Sequence, residues 1–176
     1  MRALGPGSVS SFLKIILDVI YIGLWVSVSV LALVTVAVLL LSFNPDIITS
    51  KLHVGDNTSE LLEKAPLAAG ALAAMALLLG GWMVIVERLK RIFATLTAGD
   101  PFHPDNVRRL RVIGLMLAAI EVGHYIFTAL AKWLAPESKL EGSFSLSAWF
   151  PVLVVFVLAE VFREGARLRR EAELTI

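Results

Sequence analysis

The chain has 176 residues, 57% of them hydrophobic, and a mean hydropathy of +0.80. Soluble domains carry roughly 45–50% apolar residues, so this composition excludes an ordinary water-soluble globule. The formal charge of +1 conceals an asymmetry, because charges gather at the ends of long apolar runs, and the lack of cysteine excludes disulfides, thiolate metal sites and a cysteine nucleophile.

The N-terminal segment is weakly basic, and the apolar run behind it continues to Phe43 without a small-residue cleavage pattern. A secretory apolar region is only about 7–15 residues long, so a retained signal-anchor helix is expected. Span one covers 12–43, longer than the roughly 20 residues that cross the hydrocarbon. Either it tilts or its first turns, through Lys14 and Asp18, stand in the interface. Asn44-Pro45-Asp46 ends it by removing a donor and supplying turn chemistry. In the following loop Ile47, Ile48, Leu52 and Val54 alternate imperfectly, which suits a short strand or hairpin before Gly55-Asp56-Asn57. Asn57 with Glu60 three positions on reads as an N-cap opening a short helix.

Span two covers 67–86 and is rich in small residues, with Gly70 and Ala74, then Ala76 and Gly80, repeating at four. Such pairs let helices approach closely, either as a seam within the protomer or as a homodimer interface. A basic hinge, 87–111, follows. Leu89, Ile92, Phe93 and Leu96 keep helical spacing beside Arg88, Lys90 and Arg91. Gly99 is placed to stop that helix, Asp100-Pro101 to make the turn, and Pro104 with Asp105 to open the next helix. Span three, 112–133, leaves through Lys132 and Trp133 as interface anchors. Span four, 146–162, runs into a charged tail, 163–176, in which Arg167 can pair with Glu171 and Arg169 with Glu173.

Orientation follows from the Lys/Arg of the short loops. The N-terminal segment, hinge and tail hold Arg2, Lys14, Arg88, Lys90, Arg91, Arg108, Arg109, Arg111, Arg163, Arg167, Arg169 and Arg170, against Lys51, Lys64, Lys132 and Lys139 elsewhere. The expectation is one all-α domain: an integral membrane four-helix bundle in a bacterial inner membrane, both termini cytoplasmic, with helices two, three and four extending into the cytoplasm.

Glu121 lies ten residues beyond Arg111, about 15 Å at helical rise and so near the bilayer midplane. His124 and Tyr125 share its face. An ionisable group at that depth points to a proton or cation relay; the alternative is a neutral Glu121 hydrogen-bonded to the Ser27, Ser29 or Thr35 hydroxyls. Glu121-Val-Gly-His124 is also one half of a di-metal bundle motif, but the second half and its two further glutamates are missing, so no metal or other cofactor is expected. Asp18, Glu87 and Glu160 fall one turn inside the inner ends of their spans and suggest an inner-rim set of ion pairs with nearby arginines. Without a Ser/His/Asp spacing, a Gly-rich phosphate loop or a zinc motif, an enzyme is not expected, and no helix-turn-helix spacing suggests direct DNA binding.

Two stretches carry a resemblance. Gly99-Asp100-Pro101-Phe102 with Asn106, Arg109-Leu110-Arg111 and Ile113-Gly114, and the ending from Leu158-Ala159-Glu160-Val161-Phe162-Arg163-Glu164-Gly165 to Glu173-Leu174-Thr175-Ile176, resemble the bacterial membrane family called domain of unknown function 2975. That family has no established activity. Its members are commonly encoded beside a small helix-turn-helix regulator, so the resemblance implies a membrane partner for a transcription factor. In a hinge where aromatics interleave with charge, the expected partner-binding residues are Arg88, Lys90, Arg91, Phe93, Phe102, Asn106, Arg108 and Arg109, with Arg163, Arg167 and Glu173 of the tail. Attraction of the same charges to anionic lipid is the simpler reading of the hinge. A homodimeric proton-coupled transporter using Glu121 and His124 is the alternative of a different class.

Overall fold

A computed structural model describes residues 9–43, 58–134 and 145–174, with side chains described over 12–43, 65–134 and 145–174. Four helices follow in chain order: α1 (Val9–Phe43), α2 (Thr58–Thr97), α3 (Pro104–Leu134) and α4 (Leu146–Glu173). All four are long and apolar enough to cross a membrane. The chain is an all-α, multi-pass membrane protein. The strand suggested around Ile47 to Val54 and the cap at Asn57 lie outside the described residues. The short helix expected after that cap is not a separate element, because α2 runs unbroken from Thr58 through Pro66 to Thr97. A proline removes one backbone bond, and a helix in lipid has no competing water to exploit the gap. As expected, α2, α3 and α4 all continue past their apolar stretches into charged turns.

The chain divides into two compact units, Met1–Ile22 with Gly81–Ile176, and Gly23–Gly80. The first contains the start of α1, the end of α2 and all of α3 and α4, and forms a four-helix bundle. Its core is Ile85 and Ile92 of α2, Leu110 and Ile113 of α3 and Ala159 of α4, with Leu96, Met116, Leu117, Ile120, Val155 and Phe162 packed around them. Along the spans the pattern reverses: Phe12, Val19, Trp133, Leu146 and Phe150 lie exposed. In water such surfaces would drive aggregation; against acyl chains they are the ordinary exterior.

The second unit holds the later part of α1 and the earlier part of α2. Ala69 is buried there, and the Thr35 hydroxyl donates to the Leu31 carbonyl of its own helix at 2.7 Å. The Thr35 proton is thus spent inside α1, which leaves its oxygen able only to accept.

Close approach is made at other glycines than the four-residue repeats of span two suggest. A methyl group added at Gly70 or Gly80 would meet open space. At Gly114 of α3 it would come 3.0 Å from the Phe156 ring of α4, and at Gly81 it would come equally near Ile120 of α3. Two helices therefore depend on Gly114 to seat an aromatic ring. Gly114→Leu should cost about 1–3 kcal/mol by overpacking, whereas Gly70→Leu should leave stability unchanged. Thermal unfolding of the two variants in detergent checks the difference; equal midpoints would remove the packing role of Gly114.

Candidate functional site

The connection between α2 and α3 is the most specified part of the described residues. Gly99 ends α2 with φ of 81°, a conformation that costs residues with a Cβ but not glycine. The Asp100 amide donates to the Thr95 carbonyl at 3.0 Å and the Gly99 amide to the Leu96 carbonyl at 3.1 Å, the paired bonds of a Schellman stop. Pro101 and Phe102 complete the turn, and the Asn106 amide donates to the His103 carbonyl at 2.9 Å as α3 begins.

Asn106 is fully buried and every polar atom of its side chain is used. Nδ2 donates to the Thr95 hydroxyl at 2.8 Å and to the Pro101 carbonyl at 3.1 Å. Oδ1 accepts from Arg109 Nη1 at 2.8 Å. The Thr95 hydroxyl has one proton, and the nearer acceptor is the Ile92 carbonyl at 2.7 Å, which leaves its oxygen to receive the amide. Arg109 Nη1 also donates to the Arg91 carbonyl at 3.0 Å, so one guanidinium straps α2 to α3.

The turn is latched to α4 from its other side. Phe102 stacks obliquely on Phe162 with ring centroids 5.8 Å apart. It also fills the notch at Gly165, where an added methyl would lie 2.5 Å from the ring. Asp100 pairs with Arg169, which is held in turn by Glu173 at 2.9 Å. Among the grooves at the start of α3, two are rich in arginine. One, between α3 and α4, is about 440 Å³ and is lined by Pro104, Val107, Arg111, Arg163, Arg167 and Arg170 together with Glu164 and Ala166. The other, between α2 and α3, is about 220 Å³ and is lined by Arg88, Arg91, Asp105, Arg108, Arg109 and Val112.

The residues expected to bind a partner thus separate into kinds. Asn106 and Arg109 hold the turn; a residue with no exposed surface cannot touch a partner, so Asn106 is a positioning residue. Phe102 is committed to Phe162 and Gly165, with part of its ring outward. Lys90 pairs with Asp18 of α1 at 2.5 Å and lies 4.5 Å over the Tyr21 ring. Arg91 pairs with Glu87 and Arg163 with Glu160, while Arg167 lies 2.5 Å from Glu164 and 3.6 Å from Glu171. Phe93 is half-buried. Arg88 and Arg108 have no acidic partner among the described residues, and Glu173 serves Arg169. The acids Asp18, Glu87 and Glu160 are each partnered, one across helices and two within a helix. In α3, His124 and Tyr125 meet edge to face, the Thr128 hydroxyl lies 3.0 Å from both their carbonyls, and Glu121 makes no hydrogen bond or ion pair with the described residues of its own unit.

Thr95, Gly165 and the pairing of Asp100 with Arg169 belong to this site but were not read from residue chemistry. Gly-Asp-Pro-Phe set four residues before an asparagine asks for a capped turn, but which residues of α2 and α4 close on it is a long-range matter that the motif does not state. Residues 52–176 match the model of a family described as a protein of unknown function, DUF2975. The chain belongs to the DUF2975 family. No curated protein and no solved structure matches it. The latch residues all fall within the matched region.

Replacing Asn106 tests the lock. Asn106→Asp keeps the shape and the bond from Arg109 but withdraws both Nδ2 donors, leaving the half-buried Pro101 carbonyl without that donor and putting a charge in a fully buried position. It should destabilise at least as much as Asn106→Ala, about 1–3 kcal/mol. Thermal midpoints in detergent decide, and a neutral Asn106→Asp would show that the amide is not needed. Gly165→Ala should expel Phe102, and its cost should largely vanish in a Phe102→Ala background, because the two changes share one contact. Strict additivity in that cycle would disprove the notch.

Proposed function

We propose that this DUF2975 protein is a non-enzymatic membrane anchor that docks a small helix-turn-helix transcriptional regulator on its charged end. That end, with both termini, faces the cytoplasm of a bacterial inner membrane by the excess of arginine there. The observation that carries the reading is the lock itself. A connection between two spans needs only a flexible loop, yet here a buried amide, a left-handed glycine, a ring in a glycine notch and a cross-helix ion pair join the ends of α2, α3 and α4 into one rigid surface. Rigidity of this kind lowers the ordering cost of binding.

The surface it presents is the α3–α4 groove and the tail. Arg111 and Arg170 have no acidic partner among the described residues, Val107 and Pro104 supply apolar contact, and Phe102 rims the turn. A basic groove with an apolar floor suits an acidic, amphipathic helix of a regulator, and capture there would hold it away from DNA.

A second reading has one observation in its favour. Glu121, without a partner in its own unit, is the kind of carboxyl that a proton-coupled transporter uses, with His124 one turn on. One experiment separates the two. Affinity capture from native cells should retain a helix-turn-helix protein on the full chain and on Glu121→Gln, and lose it from a form ending at Phe162 and from Arg111→Glu/Arg170→Glu. Retention by the truncated form would remove the docking assignment, and loss of proton-coupled uptake in Glu121→Gln would put transport in its place.

A further inference from the structure

The α2–α3 groove lies on a different face of α3 from the docking groove. Asp105, Arg108, Arg109 and Val112 line it, whereas Pro104, Val107 and Arg111 line the other. At about 100° per residue these sets occupy neighbouring sectors of one helix. We propose that the α2–α3 groove binds the phosphate of an anionic membrane lipid headgroup.

Four guanidiniums and one carboxylate line it. Arg91 is partly neutralised by Glu87, and Arg109 is held by Asn106 with Asp105 no nearer than 3.8 Å. Arg88 and Arg108 have no acidic partner among the described residues, and Arg88 Nε is buried with no acceptor. A buried N–H without an acceptor is costly unless a ligand supplies one, and planar guanidiniums match phosphate oxygens in pairs. Arg109, only 18% exposed, is pre-positioned by the same amide that locks the turn, so its orientation is fixed before a ligand arrives.

Depth selects the source of the phosphate. On α2 the apolar stretch ends at Val86 and Glu87; on α3 it begins at Val112, which floors the groove. The groove therefore sits where apolar helix gives way to charge, the level of lipid phosphates, with an acyl-compatible surface directly below. Asp105, the one acid of the lining, is an acceptor for a headgroup hydroxyl, which favours a glycerol headgroup over a bare phosphate.

The test is native mass spectrometry of the full chain released from nanodiscs that contain zwitterionic phosphatidylethanolamine with a minor share of phosphatidylglycerol. The wild type should retain phosphatidylglycerol preferentially, Arg88→Gln/Arg108→Gln should retain it about tenfold less, and Arg88→Lys/Arg108→Lys, which keeps charge without the paired geometry, should fall between. Arg167→Gln/Arg170→Gln, which touches no residue lining the α2–α3 groove, should match the wild type. Unchanged thermal midpoints show that the variants fold; if the glutamine pair does not, the lysine pair carries the comparison. No preference in the wild type, equal loss in the Arg167/Arg170 variant, or equal retention by the Arg88/Arg108 variants would overturn the site. Displacement of the retained lipid by millimolar inorganic phosphate would assign the groove to a free anion and overturn the lipid assignment.

Discussion

A buried side-chain amide decides how the charged end of this protein is built. Asn106 has no exposed surface, and its two donors and its acceptor each find a partner on a different piece of chain: the Thr95 hydroxyl of α2, the Pro101 carbonyl of the turn and the Arg109 guanidinium of α3. A polar group so enclosed tolerates little displacement, because an unmade bond costs far more than a made bond contributes. The angle at which α3 leaves α2 follows from it. So does the position of Phe102, which is delivered to the notch at Gly165, and of Asp100, which reaches Arg169 across 69 positions of sequence.

The molecule answers to two solvents, and its packing changes accordingly. Where helices are bathed in lipid, apolar residues gain nothing by hiding, so Leu33, Leu77 and Phe150 stay outside and contact is set by small residues such as Gly114 and Gly81. Toward the charged end, where the spans meet the charged turns, the large aliphatics Ile85, Ile92, Leu110 and Ile113 gather into a core with Ala159. The hydrogen-bonded turn stands directly beside that core. Polar specification is thus concentrated where the hydrophobic drive alone would leave several helix arrangements nearly equal.

Much of this was legible from residue order. Four apolar runs gave four helices, Gly99 stopped α2 and Pro104 opened α3, because these signals are local and need no knowledge of neighbours. The tail pairs Arg167–Glu171 and Arg169–Glu173 are local in the same sense. What could not be read was which polar groups turn inward. Asn106 looks like any solvent-facing residue of a first helical turn, and Lys90 like a partner contact, until a second helix is placed beside each; Lys90 then belongs to Asp18 of α1. Within the protomer, the close approach in span two falls at Gly81 rather than at the four-residue repeats of Gly70 and Gly80. Small-residue spacing is common in membrane helices whether or not another helix uses it, and at Gly70 none of the neighbouring atoms comes within reach of a methyl.

Sorting the arginines by what holds them separates construction from recognition. Arg91, Arg163, Arg167 and Arg169 each pair with at least one acid, and Arg109 spends its guanidinium on Asn106 and a backbone carbonyl. Exposed pairs within a helix contribute little to stability, so their main effect is to cancel charge along the extended helices. Arg88, Arg108, Arg111 and Arg170 are left without an acidic partner among the described residues. These four are not scattered: Arg88 and Arg108 face the α2–α3 groove, and Arg111 and Arg170 face the α3–α4 groove. Each groove thus combines two arginines without an acidic partner with two that are already held, Arg91 and Arg109 in the first and Arg163 and Arg167 in the second. The residual positive field is therefore focused at two places on neighbouring faces of α3, both beginning where the apolar helices give way to charge.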